Sequence, residues 1–131
     1  MTVSGVGREV GDEVMITPFK GRRQAGIKAD LTCPPDKSVT HRSVIFAAMA
    51  QGESRIVNPL LGADCRSTMG VFRALGATIE HVPAAAGAAA EVRVRSPGWD
   101  GWQSPIVPLD FGNSGTTARL LAGVFAATPN V

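Results

Sequence analysis

The sequence predicts a mixed fold of helices and strands, of the α/β (α+β) class. Two segments, residues 38–50 and 64–75, carry apolar side chains at helical spacing. Short runs rich in β-branched residues follow them and are typical of strands. Each helical segment is followed by a glycine and then a short strand, at Gly52 and again 24 positions later at Gly76. This weak internal repeat indicates that one structural unit occurs more than once.

The first third of the chain is predicted to hold a flexible N-terminus, a hairpin and a helix. Residues 1–14 mix charged residues with glycines, whereas residues 15–33 alternate between apolar and polar positions, with a turn at 20–23. Two prolines at 34 and 35 end the second strand. A helix over 38–50 is expected to bury Ile45, Ala48 and Met49 and to end at Gly52.

The remaining elements follow the same order. A strand over 54–58 precedes a helix that Asp64 would cap, and this helix has an apolar stripe ending in Leu75, with Gly76 at its C-terminus. The stripe consists of Cys65, Met69, Phe72 and Leu75. Strands are predicted over 77–82 and 91–95, joined by an Ala/Gly-rich link. A third helix should run from Thr116 to about residue 127, and residues 128–131 resemble the opening of another strand, so the chain is expected to end within a unit.

Composition excludes several classes of function. The hydrophobic fraction of 44% and the charged fraction of 18% predict a folded domain. The net charge of +2 is small and the basic residues are scattered, which argues against nucleic acid. The apolar runs are too short to span a bilayer, and the first residues lack a secretory signal, so a cytoplasmic location is expected.

Cysteine, histidine and tryptophan give no sign of a cofactor site. Cys33 and Cys65 are 32 positions apart and are not grouped with His41 or His81, so two reduced thiols are predicted and a zinc site is not. His41 is expected to have only a surface or packing role. Trp99 and Trp102 could form a stacking pair for a ligand, but surface packing of a loop is favoured.

The first candidate site is the start of the helix at 38–50. Lys37 and Arg42 place cations near a helix N-terminus, where the backbone carries partial positive charge, and a bound anion would reverse this unfavourable arrangement. Ser38 and Arg42 share one face of the helix, and Lys37 can reach the same space. The alternative is a solvated first turn capped by Ser38 or Asp36, with no ligand.

The second candidate site is the glycine-bearing loop before the third helix. Gly112 and Gly115 allow a ligand to approach the backbone, while Asn113 and Thr116 offer polar groups and Arg119 repeats the cation near a helix start. The pattern is not a P-loop of the G-x-x-x-x-G-K-[ST] type. Two such loops in one small chain favour an anionic ligand.

These residues resemble a known family. The segments 36–42 (DKSVTHR) and 112–119 (GNSGTTAR) are similar to two signatures of 5-enolpyruvylshikimate-3-phosphate synthases, and the resemblance covers roughly residues 15–131. It implies a two-domain fold of repeated βαβαββ units, of which residues 34–131 would form part of a substrate-binding domain. Residues 15–33 would belong to the domain that the rest of the enzyme completes.

The resemblance also implies a reaction and a set of roles. The family transfers the enolpyruvyl group of phosphoenolpyruvate to shikimate 3-phosphate by addition and elimination, in the pathway to chorismate and the aromatic amino acids, without metal or organic cofactor. Lys37 would contact both substrates and act in catalysis, and Ser38 and Arg42 would bind shikimate 3-phosphate. Gly115 would line the phosphoenolpyruvate pocket, where the herbicide glyphosate also binds, next to Asn113 and Thr116.

Two departures and two alternatives accompany this resemblance. Pro35 replaces a usual glycine, and the family's catalytic carboxylates lie in sequence that this chain does not contain. UDP-N-acetylglucosamine enolpyruvyl transferase shares the fold, but Ser38 and Arg42 argue against it. The other alternative is a non-catalytic anion-binding fragment that assembles with a second chain, either the C-terminal remainder of the enzyme or another copy of itself.

Overall fold

A computed structural model describes residues 7–10, 13–16, 34–86 and 89–128, and the chain divides into two compact units, Met1–Thr32 and Cys33–Val131. In the first unit, β1 (Gly7–Val10) pairs antiparallel with β2 (Glu13–Ile16). Both strands begin within residues 1–14, which the sequence predicts to be flexible. They form there because strand pairing uses backbone groups and does not require apolar side chains. The predicted turn at 20–23 lies outside the described residues, and the division into segments 1–14, 15–33 and 34–131 stays a prediction.

The second unit contains three helices and a three-stranded sheet. Its elements are α1 (Lys37–Met49), β3 (Gln51–Val57), α2 (Ala63–Ala74), β4 (Thr78–Val82), β5 (Glu91–Pro97), a single 3-10 turn (Trp99–Gly101) and α3 (Gly115–Phe125). The strands are antiparallel in the order β3-β5-β4. All three predicted helices are confirmed to within two residues at each end. Of the predicted final strand at 128–131, only Thr128 lies among the described residues.

Two helix ends differ from expectation, whereas the N-cap of α1 is one of the two residues expected there. Asp36 caps α1, and its carboxylate accepts a hydrogen bond from the Val39 N–H at 2.7 Å. Gly62, not Asp64, is the N-cap of α2, which leaves Asp64 in the first turn, where its charge is favourable to the helix dipole. Gly52 does not end α1, because the helix stops before Ala50 and Gly52 lies inside β3. Gly76 follows the last residues of α2 with φ of 101°, a conformation that glycine adopts without strain.

The core lies between the helices and one face of the sheet. The predicted stripe on α2 is buried, as are Ile45 and Ala48 on α1, while Met49 is half-buried. On β5, side chains alternate from Val92 onward, so that Val92 and Val94 face this core, whereas Arg93 and Arg95 are exposed. The other members of the core are Val44, Ala47, Val71, Ala77, Ile79, Trp102 and Leu121.

Trp102 corrects the prediction of surface packing for the tryptophan pair. Its side chain is buried and lies 5.3 Å from the ring of Phe72 and 5.8 Å from the ring of Trp99, measured between centroids. The indole N–H donates to the carbonyl of Ala48 at 3.1 Å. A buried indole needs such an acceptor, and the end of a helix offers unpaired carbonyls, so the C-terminus of α1 makes this burial possible.

Candidate functional site

Lys37 is the first residue of α1 and its ammonium forms an ion pair with the carboxylate of Asp64 in the first turn of α2. The hydrogen bond and the charge of Asp64 raise the pKa of Lys37, so the side chain remains protonated at neutral pH. The Lys37 side chain is still 49% exposed, which leaves part of this side chain accessible to a ligand.

Ser38 and Arg42 are exposed residues of α1, four positions apart and therefore on one face. Within the described part of the chain, neither the Ser38 hydroxyl nor the Arg42 guanidinium makes a hydrogen bond or an ion pair with another residue. A guanidinium has five donors suited to phosphate or carboxylate, so Arg42 is available to bind an anion.

The second motif forms the turn before α3. Ser114 is the N-cap of α3, and its hydroxyl oxygen accepts hydrogen bonds from the Thr117 N–H at 3.2 Å and the Thr117 O–H at 2.7 Å. Gly112 has φ of 56°, and its N–H donates to the Asp110 carboxylate at 2.7 Å. A β-carbon at Gly112 would lie 2.8 Å from the Ser67 hydroxyl, which shows how closely this loop approaches α2.

The three predicted residues of this motif lie at the start of α3. Asn113 and Gly115 are exposed and Thr116 is half-buried. A β-carbon at Gly115 would meet no atom within 4 Å, so this backbone position faces open space. Beside the same loop, a groove of about 580 Å³ runs along α2, and among the described residues that line it Arg66 is the basic one.

Helix α2 connects the two motifs. Its Asp64 binds Lys37, and one turn later the Thr68 hydroxyl lies 2.8 Å from the His41 Nδ1 of α1 and 2.7 Å from the Thr117 hydroxyl of α3. The starts of α1 and α3 are therefore both attached to the first two turns of α2. Sequence reasoning missed these connections. The only signal was that Asp64 and Thr68 share a helix face, and their partners are 27 or more positions away in the chain.

His41 is completely buried, which is a packing position and not a surface one. Burial lowers its pKa, the nearby Lys37 charge lowers it further, and Asp64 partly opposes both effects. The ring is therefore neutral at pH 7. Its Nδ1 faces Thr68, whereas no hydrogen-bond partner for Nε2 is found among the described residues.

Cys65 is a buried thiol beside this site. Its S–H donates to the Lys37 carbonyl at 3.8 Å, and burial raises its pKa, with the Lys37 charge acting in the opposite direction. Cys33 lies outside the described residues. In the described ranges, no group of three or more His, Cys, Asp or Glu side chains could hold a metal ion, and no helix is long and apolar enough to cross a membrane.

Residues 22–131 match the sequence model of the family EPSP synthase (3-phosphoshikimate 1-carboxyvinyltransferase). The 3-phosphoshikimate 1-carboxyvinyltransferase of Bacillus licheniformis is 46% identical over 111 residues, which cover 85% of this chain and 24% of that protein. The enzyme of the same name from Desulfitobacterium hafniense is 45% identical over 103 residues, covering 79% and 22%.

A solved structure agrees with the sequence matches. The EPSP synthase from Acinetobacter baumannii superposes with a TM-score of 0.63 at 40% identity, covering 75% of this chain and 21% of that one. The predicted fold class and the predicted resemblance are thereby confirmed. The chain spans between a fifth and a quarter of the length of these relatives.

Proposed function

The chain belongs to the EPSP synthase family, and on that premise we propose that it supplies part of the substrate site of a 3-phosphoshikimate 1-carboxyvinyltransferase. The reaction is transfer of the enolpyruvyl group of phosphoenolpyruvate to shikimate 3-phosphate, with release of phosphate. The protein acts in the cytoplasm, in the pathway to chorismate and the aromatic amino acids. No metal or organic cofactor takes part.

One observation carries the proposal. The two motifs that match the family lie far apart in sequence, yet both are attached to the first two turns of α2, through Lys37 with Asp64 and through Thr117 with Thr68. An ion pair holds the lysine in place, and the start of α3 adds unpaired backbone N–H groups and the positive end of a helix dipole. Such groups suit substrates that carry phosphate and carboxylate charges.

The proposed roles follow from exposure and charge. Lys37 contacts both substrates and stabilises the negative charge that develops during addition and elimination. Ser38 and Arg42, exposed and without partners in the described part of the chain, bind the phosphate-bearing shikimate substrate. Gly115 leaves room for phosphoenolpyruvate, with Asn113 and Thr116 beside it.

The test is calorimetric titration of the 131-residue chain with shikimate 3-phosphate, alone and with the remainder of the enzyme. Removing a charge-assisted contact costs about 1.5–3 kcal/mol, so Lys37→Ala and Arg42→Ala should each weaken binding by at least tenfold. Arg95→Ala is the matched control, since this exposed arginine pairs with Glu53 on the sheet. In the completed enzyme, Lys37→Ala should also weaken the binding of phosphoenolpyruvate, whereas Arg42→Ala should leave that binding unchanged. Equal affinities in all variants would refute the assignment.

The second candidate function is anion binding without catalysis, in which the chain acts only as an anion-binding fragment. Lys37 and Arg42 would then hold an anion in the same way, so binding alone does not separate the two functions. Phosphate release from the two substrates, measured after the remainder of the enzyme is added, separates them. Turnover that appears on mixing supports the transferase, and binding with no turnover in the mixture supports the fragment.

A further inference from the structure

A buried polar network crosses the three helices beneath the proposed site. It consists of His41 on α1, Thr68 on α2, and Thr117 and Ser114 on α3. The Thr68 Oγ1 lies 2.8 Å from the His41 Nδ1 and 2.7 Å from the Thr117 Oγ1. The Thr117 Oγ1 lies 2.7 Å from the Ser114 Oγ. His41, Thr68 and Thr117 are completely buried, and Ser114 is 2% exposed. Polar groups at this depth are expected to use their hydrogen bonds fully.

Of the orders of donation that the available protons permit, two run in a single direction along the whole buried polar network. The mixed orders need the Ser114 O–H to donate to Thr117, whereas the structure has the Thr117 O–H donating to Ser114. Each hydroxyl has one proton to donate, and a neutral imidazole has one N–H. In the outward order, His41 donates from Nδ1 to Thr68, and Thr68 then donates to Thr117. Thr117 in turn donates to Ser114. In the inward order each donor is reversed, and the single imidazole proton must lie on Nε2.

The surroundings of His41 favour the outward order. Nε2 has no hydrogen-bond partner among the described residues, so the inward order would bury an N–H donor without an acceptor. A buried N–H without an acceptor is rare in folded proteins and costs its full desolvation energy. The outward order avoids this cost, because it leaves only an unprotonated nitrogen at Nε2. The outward order also agrees with Ser114, whose oxygen accepts the Thr117 O–H in addition to the Thr117 N–H.

We propose that the buried polar network is a positioning device for the substrate site, in which His41 donates from Nδ1 through Thr68 and Thr117 to Ser114. Thr68 is the positioning residue, because it joins the start of α1 to the start of α3. This inference rests on the proposed function, since the two segments it aligns are those that would hold the two substrates. The outward order leaves the Ser114 hydroxyl proton unused by the network, at the residue directly before Gly115.

The first experiment needs no ligand. Long-range ¹H–¹⁵N NMR of the 131-residue chain reports which imidazole nitrogen carries the proton, and His81→Gln assigns the signals because the chain has two histidines. We expect the Nδ1–H form for His41. Finding the proton on Nε2 overturns the proposal, and this measurement on the unchanged chain does not depend on whether any variant folds.

The second experiment uses a matched pair of variants. Thr68→Val removes the hydroxyl at similar volume, and Thr68→Ser keeps it. Loss of one network hydrogen bond should speed amide exchange at Thr117 about tenfold in Thr68→Val, and Thr68→Ser should restore slow exchange. The Nδ1–H preference of His41 should fall in the same variant. Thr117 exchange that is unchanged in Thr68→Val overturns the proposal.

Titration with shikimate 3-phosphate then tests the connection to function. Affinity should fall about tenfold in Thr68→Val and recover in Thr68→Ser, since the valine variant loses alignment without losing any proposed ligand contact. If the unchanged chain binds and Thr68→Val binds equally well, the positioning role is refuted. If the unchanged chain and its complex with the remainder of the enzyme both fail to bind shikimate 3-phosphate, the proposed function is refuted. The His41 tautomer and the Thr117 amide exchange still show whether the buried polar network has the proposed order of donation.

Discussion

The ammonium of Lys37 lies against the carboxylate of Asp64, so the first residue of α1 is tied to the first turn of α2. Asp64 is the largest cause of the raised pKa of Lys37, through the hydrogen bond and then through its charge. Asp64→Asn should therefore lower the pKa of Lys37, which a pH titration followed by NMR of the lysine side chains would measure. Glu53→Gln removes a carboxylate that pairs with Arg95 instead, and it should leave Lys37 unchanged. A pKa of Lys37 that is the same in Asp64→Asn would contradict the ion pair.

Gly115→Ala should leave the fold intact and alter the ligand site. A β-carbon there meets no atom within 4 Å, and alanine is favoured over glycine within a helix by about 0.5–1 kcal/mol, so stability should not fall. In the complete enzyme the added methyl should raise the KM for phosphoenolpyruvate and exclude glyphosate more strongly, because it occupies space proposed for both.

The matched control for this substitution is Gly123→Ala, at another glycine of α3 with open space around its β-carbon. Thermal unfolding of both variants and steady-state kinetics with glyphosate would measure the two effects. Gly123→Ala should leave the kinetics unchanged. Inhibition by glyphosate that is unaltered in Gly115→Ala would show that this position does not line the pocket.

His41 should make the folded chain less stable as the pH falls. Its pKa is lowered by burial and by Lys37, with Asp64 opposing, so below the ordinary histidine pKa of about 6.5 the unfolded chain binds more protons than the folded one. The free energy of unfolding should therefore be highest above about pH 6.5 and decrease below it. Urea unfolding at several pH values would measure this slope.

A variant pair isolates the contribution of His41 to this pH dependence. His41→Asn removes the titrating group, so the slope between about pH 5.5 and 7 should become smaller even if the variant is less stable throughout. His81→Gln removes the exposed histidine and serves as the control. A slope that is equal in His41→Asn and the unchanged chain would refute the assignment.

The 131-residue chain alone should have no measurable synthase activity, and it should self-associate. It covers 22% of the Desulfitobacterium relative, and the resemblance places the catalytic carboxylates outside this sequence. Proton transfer by a positioned side chain contributes about 10²- to 10⁴-fold to rate, so anion binding alone should not suffice. Self-association is expected because Val39, Phe46 and Val57 are 58%, 66% and 62% exposed and β3 is an edge strand.

Phosphate release and the mass in solution test the two halves of this prediction. The chain should release no phosphate from the two substrates until the remainder of the enzyme is added. Its mass should increase with concentration, and Phe46→Ser should reduce that increase because it removes the largest exposed apolar side chain on α1. Turnover by a monomeric chain would contradict both expectations.

The helices were predictable because their signals are local. Apolar residues at helical spacing and a glycine after α2 act through neighbours within one or two turns, and the burial of Cys65, Met69, Phe72 and Leu75 follows from that spacing. The pairing of β1 with β2 was not predicted, because the charged residues of these strands mask a pairing made by the backbone. Trp102 was misassigned because its acceptor, the Ala48 carbonyl, is 54 positions away.

The sequence by itself determined the family and the helices, and it predicted which residues bind anions, since motifs such as 36–42 and 112–119 are carried by contiguous residues. Only the tertiary structure decided what those residues contact. The pairing of Lys37 with Asp64 and the network through Thr68 join segments 27 to 49 positions apart. Such contacts depend on how α2 packs between α1 and α3, and spacing along one helix contains no information about which side chains another helix will bring into reach.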